Sequence, residues 1–284
     1  MSTYLIFKEK YGIILLKEVR SMGKIIMVAS LKGGVGKTTV SAALSHALAK
    51  MGQKTLAVDM DFGVRSLDIA LGHENSASPS CWDVMTGRAS LGVAVESDSR
   101  EENLFFISAP MNVDCTYDTT LTDRMFTSFL KNVKREYDFV LLDMAAGTGR
   151  LLDMASNSGE VDEVLIVCTQ NAASVRAAEK LGADLYKTGE EKIRLVINSF
   201  VPDRAGKNDF VGVMDITEHS SVTLIGVVPF DKRVEALISS GKTVIEDKRS
   251  LAGKALKNIA RRLTGESVAL FDGAVPRRHR FRLY

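Results

Sequence analysis

Cysteine is scarce: Cys81, Cys115 and Cys168 are the only three in 284 residues. The number is odd and none sits in a C-x-x-C pair, which argues against a disulfide framework or a structural zinc site and fits a reducing, cytoplasmic setting. Long apolar runs are lacking too. The longest near the start, Gly12-Ile13-Ile14-Leu15-Leu16, is too short to span a bilayer. It is also too short for a signal-peptide core, and no A-x-A-like site follows it. There is no internal repeat and no low-complexity segment. Net charge is small, at a formal +2, but it is unevenly placed. Met1 to Lys24 carries +3 and Arg277 to Tyr284 carries +4, which leaves −5 on the chain between them. An acidic body argues against a general nucleic-acid binder, while two basic ends suit anionic lipid or a protein partner.

What is present is an ordinary globular composition, 45% hydrophobic and 25% charged, in a chain long enough to bury a core without staples. From Lys24 onward, short apolar runs alternate with amphipathic stretches. Strands are expected at Ile25–Ala29, Thr55–Val58, Leu104–Ile107, Phe139–Leu142, Val164–Val167, Leu195–Ile197 and Leu224–Val228. Helices are expected at Thr38–Met51, Thr122–Arg135, Ala172–Tyr186, Lys232–Ser239 and Leu251–Leu263. Strands without polar alternation are covered on both faces. The pattern therefore predicts an α/β fold with a mostly parallel sheet, helices on both sides and a ligand site beyond the carboxyl ends of the strands. The segments His73–Pro79 and Val201–Lys207 read as mobile connections. Residues 1–23 read as an N-terminal extension, either flexible or an added edge element, with Met22 as an alternative start. Residues 24–264 form the folded body and 265–284 a basic tail.

The first expected strand runs into Ser30-Leu31-Lys32-Gly33-Gly34-Val35-Gly36-Lys37-Thr38-Thr39 and then a helix. Glycines let the backbone turn its N–H groups inward, and the helix start adds free donors and a dipole. This is a phosphate loop: Lys37 is placed to reach β- and γ-phosphates and the Thr38 hydroxyl to ligate Mg²⁺. The usual loop has glycine where Leu31 stands; here a second lysine, Lys32, precedes two glycines.

Two further strands end in carboxylates. Thr55–Val58 leads into Asp59-Met60-Asp61, whose acids share side-chain parity in an extended chain. Phe139–Leu142 leads into Asp143-Met144-Ala145-Ala146-Gly147, an apolar run ending in Asp beside the loop. Such carboxylates can hold metal-bound water or position an attacking water.

Lys-Gly-Gly-Val-Gly-Lys-Thr-Thr is similar to the deviant Walker A motif of the MinD/ParA superfamily, and the segment Val58 to Asp68 resembles its first switch. The resemblance runs from about Gly23 to Thr264. It implies a P-loop NTPase fold, ATP and Mg²⁺ as ligands, and slow, partner-stimulated hydrolysis. It implies that Lys32 reaches the partner's phosphates across an ATP-bound homodimer and that Asp61 orients the attacking water. Thr38, Asp59 and Asp143 would serve the metal. Lys32, Gly33, Gly34, Val35, Gly36, Lys37, Thr38, Thr39 and Gly147 would cradle the phosphates. Asn198, at a strand end, and Pro229, Phe230 and Asp231 would line the adenine pocket. Arg65 and Asp68 would belong to the switch and dimer surface, and Ser174-Val175-Arg176 to a partner-facing helix, although Ala177 replaces the acid usual there. Alanine at 145 stands where the family often has Pro or Gly, which would loosen the second switch.

Within that superfamily the reading favours a MinD-like switch for cell-division placement, with a protein activator or division inhibitor as partner. The tail Arg277 to Tyr284 would make peripheral membrane contact, its basic and aromatic residues suiting an anionic interface. A DNA-partitioning relative would need a basic dimer surface. An iron–sulfur carrier would need paired cysteines. A flagellar-number regulator is suggested by the N-terminal extension but lacks the Asp-Gln-Ala element expected there.

Overall fold

The computed structural model describes residues 8–9, 12–13, 22–74, 77–111, 120–206 and 209–270. Its elements in chain order are β1 (Lys8–Glu9), β2 (Gly12–Ile13), β3 (Lys24–Ala29), α1 (Lys37–Lys50), β4 (Thr55–Met60), α2 (Leu67–Leu71), α3 (Cys81–Met85), α4 (Leu91–Ala94), β5 (Glu96–Ser97) and β6 (Leu104–Ile107). There follow α5 (Asp123–Glu136), β7 (Phe139–Met144), α6 (Arg150–Asn157), β8 (Glu163–Cys168), α7 (Ala172–Lys187), β9 (Ile193–Phe200), α8 (Val213–Ser220), β10 (Thr223–Pro229), α9 (Arg233–Ser239) and α10 (Leu251–Leu263).

Eight strands form one sheet in the order β10-β9-β8-β3-β7-β4-β6-β5. Every pairing in it is parallel except that of β5 with β6. The central strands are apolar along their whole length because both faces are covered. On β3, Ile25, Met27 and Ala29 enter one core and Ile26 and Val28 the other, as the two-residue side-chain period requires. Helices α5, α6 and α7 close the first core; α1 and α10 close the second. Helix α5 illustrates why these segments are helical. Phe126, Phe129, Leu130 and Val133 lie on one stripe and are buried. The Thr122 hydroxyl accepts the Met125 N–H at 3.3 Å, while Lys134 and Arg135 occupy the last turn, where cations suit the helix dipole.

Several expectations need correction. The strands carrying Asp59 and Asp143 continue two residues further than expected, so both acids sit inside β4 and β7, as register partners of each other. Asn198 likewise lies within β9, not at its end. Helices α2, α3, α4, α6 and α8 did not register in the sequence because runs of four to eight residues are too short to establish a helical period. In the N-terminal extension, β1 pairs antiparallel with β2 in a separate two-stranded sheet and does not extend the main one. The segments expected to be mobile are tied down where described. His73 lies 3.0 Å from Asp98 and against the Phe106 ring. Pro202–Arg204 forms a 3₁₀ turn, with Arg204 over the Phe210 ring. Cys115 and the tail Arg277 to Tyr284 lie outside the described residues.

Candidate functional site

The carboxyl ends of β3, β4 and β7 converge where α1 begins. Gly36 is the residue that makes the loop possible. Its φ is +86°, and a Cβ there would lie 2.3 Å from Asn198 Nδ2, so both conformation and space demand glycine. Gly36 also caps α1 without any side-chain hydrogen bond, which leaves the first-turn N–H groups turned toward the loop, as an anion requires. Val35 sends its side chain into the core, while its carbonyl accepts the Asn198 amide at 2.8 Å. Gly33 and Gly34 are exposed at the loop's crest. Gly147 joins the second switch to the loop by donating its N–H to the Ser30 carbonyl at 2.9 Å.

Lys37 is the first residue of α1 and is buried. Its Nζ lies 3.2 Å from Asp143 Oδ1, and the same oxygen accepts the Ser41 hydroxyl at 2.9 Å. Asp143 Oδ2 is buried and has no partner. Ser41 was not singled out in the sequence, although its position one turn after Lys37 on the same helix is the signal that could have found it. Thr38 Oγ1 lies 3.3 Å from the hydroxyl of Ser66, a second residue the sequence reading missed. Thr39 lines a cavity beside the loop, together with Gly34 and Gly36.

The two acids after β4 behave differently. Asp59 is fully buried, and its Oδ1 and Oδ2 accept the N–H groups of Asp61 and Leu67, each at 2.9 Å. It therefore hangs the switch loop from the end of β4, and the shared parity expected of Asp59 and Asp61 does not give them one target. Burial, reinforced by neighbouring Asp143, raises the Asp59 carboxyl to about 7. Asp61 is half-buried, and its pKa is raised, by burial first and by Asp143, with Lys37 opposing. Asp61, Lys37 and Asp143 thus lie within electrostatic reach of one another. Arg65 takes a left-handed φ of +50° and pairs with Asp68 at 2.6 Å. Asp68 is buried, so it is not a surface residue as expected.

Lys32 is exposed and stands apart from this cluster. Its Nζ is 3.4 Å from Asn171 Oδ1, the N-cap of α7. On α7, Ser174 and Val175 are buried and only Arg176 of that run faces outward, which removes two of the three residues expected on a partner surface.

This cavity, of about 430 Å³, is also lined by Asn198, Pro229, Phe230 and Asp231 and by the apolar Val234, Val244 and Leu256. Its volume and mixed lining suit a flat heterocycle. Asn198 commits one N–H of its amide to Val35, which leaves the other N–H and the oxygen for a ligand. The Asp231 carboxylate is engaged by the Ser250 hydroxyl at 2.7 Å and by the Arg233 N–H at 3.1 Å, so it shapes the cavity wall.

Hard oxygen donors surround the loop: the Thr38 hydroxyl and the unpartnered Asp143 Oδ2. That set suits Mg²⁺, which keeps waters and phosphate oxygens as its other ligands. Among the described residues no cluster of three or more His, Cys, Asp or Glu forms a protein-only metal site. Asp59, expected to help, has both oxygens occupied by backbone.

Residues 21–264 match the ParA family model described as an iron-transfer P-loop NTPase of the NUBPL type. The putative septum site-determining protein MinD of Guillardia theta is 33% identical over 252 residues, covering 88% of this chain and 92% of that one. The MinD of Bacillus subtilis is 34% identical over 251 residues, with 88% and 92% covered. Among solved structures, the MinC:MinD cell division complex of Aquifex aeolicus superposes with a TM-score of 0.79 at 28% identity, covering 87% of this chain and 98% of that one. The MinD of Pyrococcus horikoshii complexed with Mg-ADP gives 0.74 at 28% identity, with 85% and 96% covered.

Proposed function

The chain belongs to the ParA family of P-loop NTPases, and we propose that within it this ATPase is a MinD-type switch that dimerises on ATP and acts in the placement of cell division. The observation that carries the reading is the Lys37–Asp143–Asp61 cluster at the strand ends, with Lys32 exposed beyond it. Lys37, the α1 N-terminus and Gly33 to Thr39 would bind the phosphates, and Asn198, Pro229 and Phe230 the base. Thr38 and Asp143 would hold Mg²⁺, which would neutralise charge developing on the phosphates. Asp61 would orient the attacking water, its environment already disfavouring an exposed, fully solvated carboxylate. Asp59 would fix the position of Asp61 through the backbone. Lys32, free of the buried cluster, would stabilise charge on a second copy's phosphates.

A homodimer in the ATP state, a protein partner of the kind the Aquifex aeolicus MinD was solved with, and membrane contact through Arg277 to Tyr284 complete the proposal. No described helix is long and apolar enough to cross a membrane, so such contact would be peripheral. An iron-transfer reading, which the family description raises, gains nothing from the described thiols. Cys81 and Cys168 are buried apart on different elements, and burial pushes Cys168 up to about 12.

Light scattering and phosphate release with Mg-ATP test the switch. Asp61→Ala is expected to keep ATP-dependent dimers and lose hydrolysis by about 10²-fold or more, and Lys32→Ala to bind ATP but lose both dimers and hydrolysis. A Lys32→Ala protein that dimerises and turns over like the parent would overturn the assignment.

A further inference from the structure

Four lysines gather where α10 packs against α1. Lys254 and Lys257 stand three residues apart on α10, Lys50 closes the neighbouring α1, and Lys248 lies in the turn before α10. Helix α10 contains no acid at all. Lys50, Lys248 and Lys254 are exposed and Lys257 is half-buried. None of the four pairs with a carboxylate of the described residues, whereas Arg261, one turn on, pairs with Glu266 at 2.8 Å. Burial, and then Lys50, Lys248 and Lys254, hold the Lys257 ammonium below its ordinary value, so the other three lysines lie within electrostatic reach of it. In a body whose net charge is negative, that arrangement costs stability and suits an anionic surface that would cancel it.

Position narrows the choice of surface. Lys50 lies about 20 Å along α1 from the phosphate loop, and none of the four lysines lines the cavity beside that loop. The chain leaves α10 folded back on it, with Arg262 donating to the Val268 and Ala269 carbonyls at 2.9 and 2.6 Å. The segment beyond, 271–284, holds four arginines with Phe281, Leu283 and Tyr284 and is about 50 Å long at most when fully extended. Aromatic and aliphatic side chains among basic ones match a lipid interface better than a duplex, which offers phosphate alone.

We propose that the lysine face of α10 and the end of α1 is an electrostatic docking surface for an anionic bilayer, working beside the tail. It rests on the reading of membrane contact above. The test is co-sedimentation of the full chain in Mg-ATP with phosphatidylcholine vesicles and with vesicles containing about one third phosphatidylglycerol. The wild type is compared with Lys254→Gln/Lys257→Gln, with the charge-preserving Lys254→Arg/Lys257→Arg, and with the chain cut after Pro276. Loss of two surface lysines is expected to lower the partition coefficient on anionic vesicles by about 30-fold, with ATP turnover unchanged, and the arginine variant is expected to bind like the wild type. If the glutamine variant binds like the wild type while the truncated chain fails, the lysine face is refuted and the tail reading stands. If no form binds anionic vesicles, both are refuted. If the glutamine variant loses affinity for a duplex DNA fragment but not for vesicles, the face serves nucleic acid and the proposal is overturned.

Discussion

One carboxylate oxygen, Asp143 Oδ1, receives both the Lys37 ammonium and the Ser41 hydroxyl in a fully buried setting. A lysine held there has no water to fall back on, so removing its partner leaves an unpaired buried charge. Asp143→Ala is expected to lower unfolding stability by about 3 to 5 kcal/mol, read from urea denaturation, and to abolish ATP hydrolysis. An unchanged urea midpoint would mean the pair does not stabilise the fold. Elsewhere on the same helix, His46 is buried, bonded through Nδ1 to Thr243 at 2.7 Å, with Nε2 lacking a partner. Burial lowers its pKa from 6.5 to about 4, with Glu246 opposing. Between those values the folded chain keeps His46 neutral while the unfolded chain takes up a proton. Stability is therefore lost as pH falls from 6.5 toward 4, by at most about 1.4 kcal/mol per pH unit. Urea midpoints across that window should slope less steeply in His46→Gln than in the wild type, and equal slopes would contradict the assignment.

Among the elements, α10, like α1, begins at the site. Ser250 caps it by accepting the Gly253 N–H at 3.0 Å, and the same hydroxyl donates to Asp231 at 2.7 Å on the cavity wall. Ser250→Ala removes a cap and strands a carboxylate oxygen, an expected loss of about 1 to 2 kcal/mol, measurable by thermal or urea unfolding. Helix α2 has a different start. Its N-cap, Ser66, makes no capping bond with its side chain; Asp59, eight residues back on β4, accepts the Leu67 N–H in its place. That couples the first switch to the central sheet, so a change at Asp59 is felt by the whole loop that carries Asp61.

At the scale of the molecule, nucleotide should behave as a fold-stabilising ligand, since the loop, both switches and the cavity exist together only in the folded chain. At about a hundredfold its Kd, Mg-ATP is expected to contribute about 2.7 kcal/mol, or a Tm rise of about 4 to 5 °C for a chain of this size. Differential scanning fluorimetry would read it, and Lys37→Ala should erase it. A wild-type Tm indifferent to Mg-ATP would contradict the nucleotide site.

The amino-acid order determined what is local. The run from β3 through Gly36 to α1, the apolar strands and the long helices α1, α5, α7 and α10 could be read directly, because glycine conformation, strand coverage and helical period are set by neighbours in sequence. Asp59 and Asp143 could be singled out because each follows an apolar run, and Asp61 because it shares side-chain parity with Asp59. Which of these acids keeps a free oxygen was decided only by the tertiary structure, since Asp59 is occupied by a loop that folds back on it and Asp143 by a helix from elsewhere in the chain. The burial of Asp68, Ser174 and Val175, the commitment of Asn198 to Val35 and the gathering of Lys50, Lys248, Lys254 and Lys257 were decided there too. Each depends on distances between residues far apart along the chain, which packing sets and sequence spacing does not.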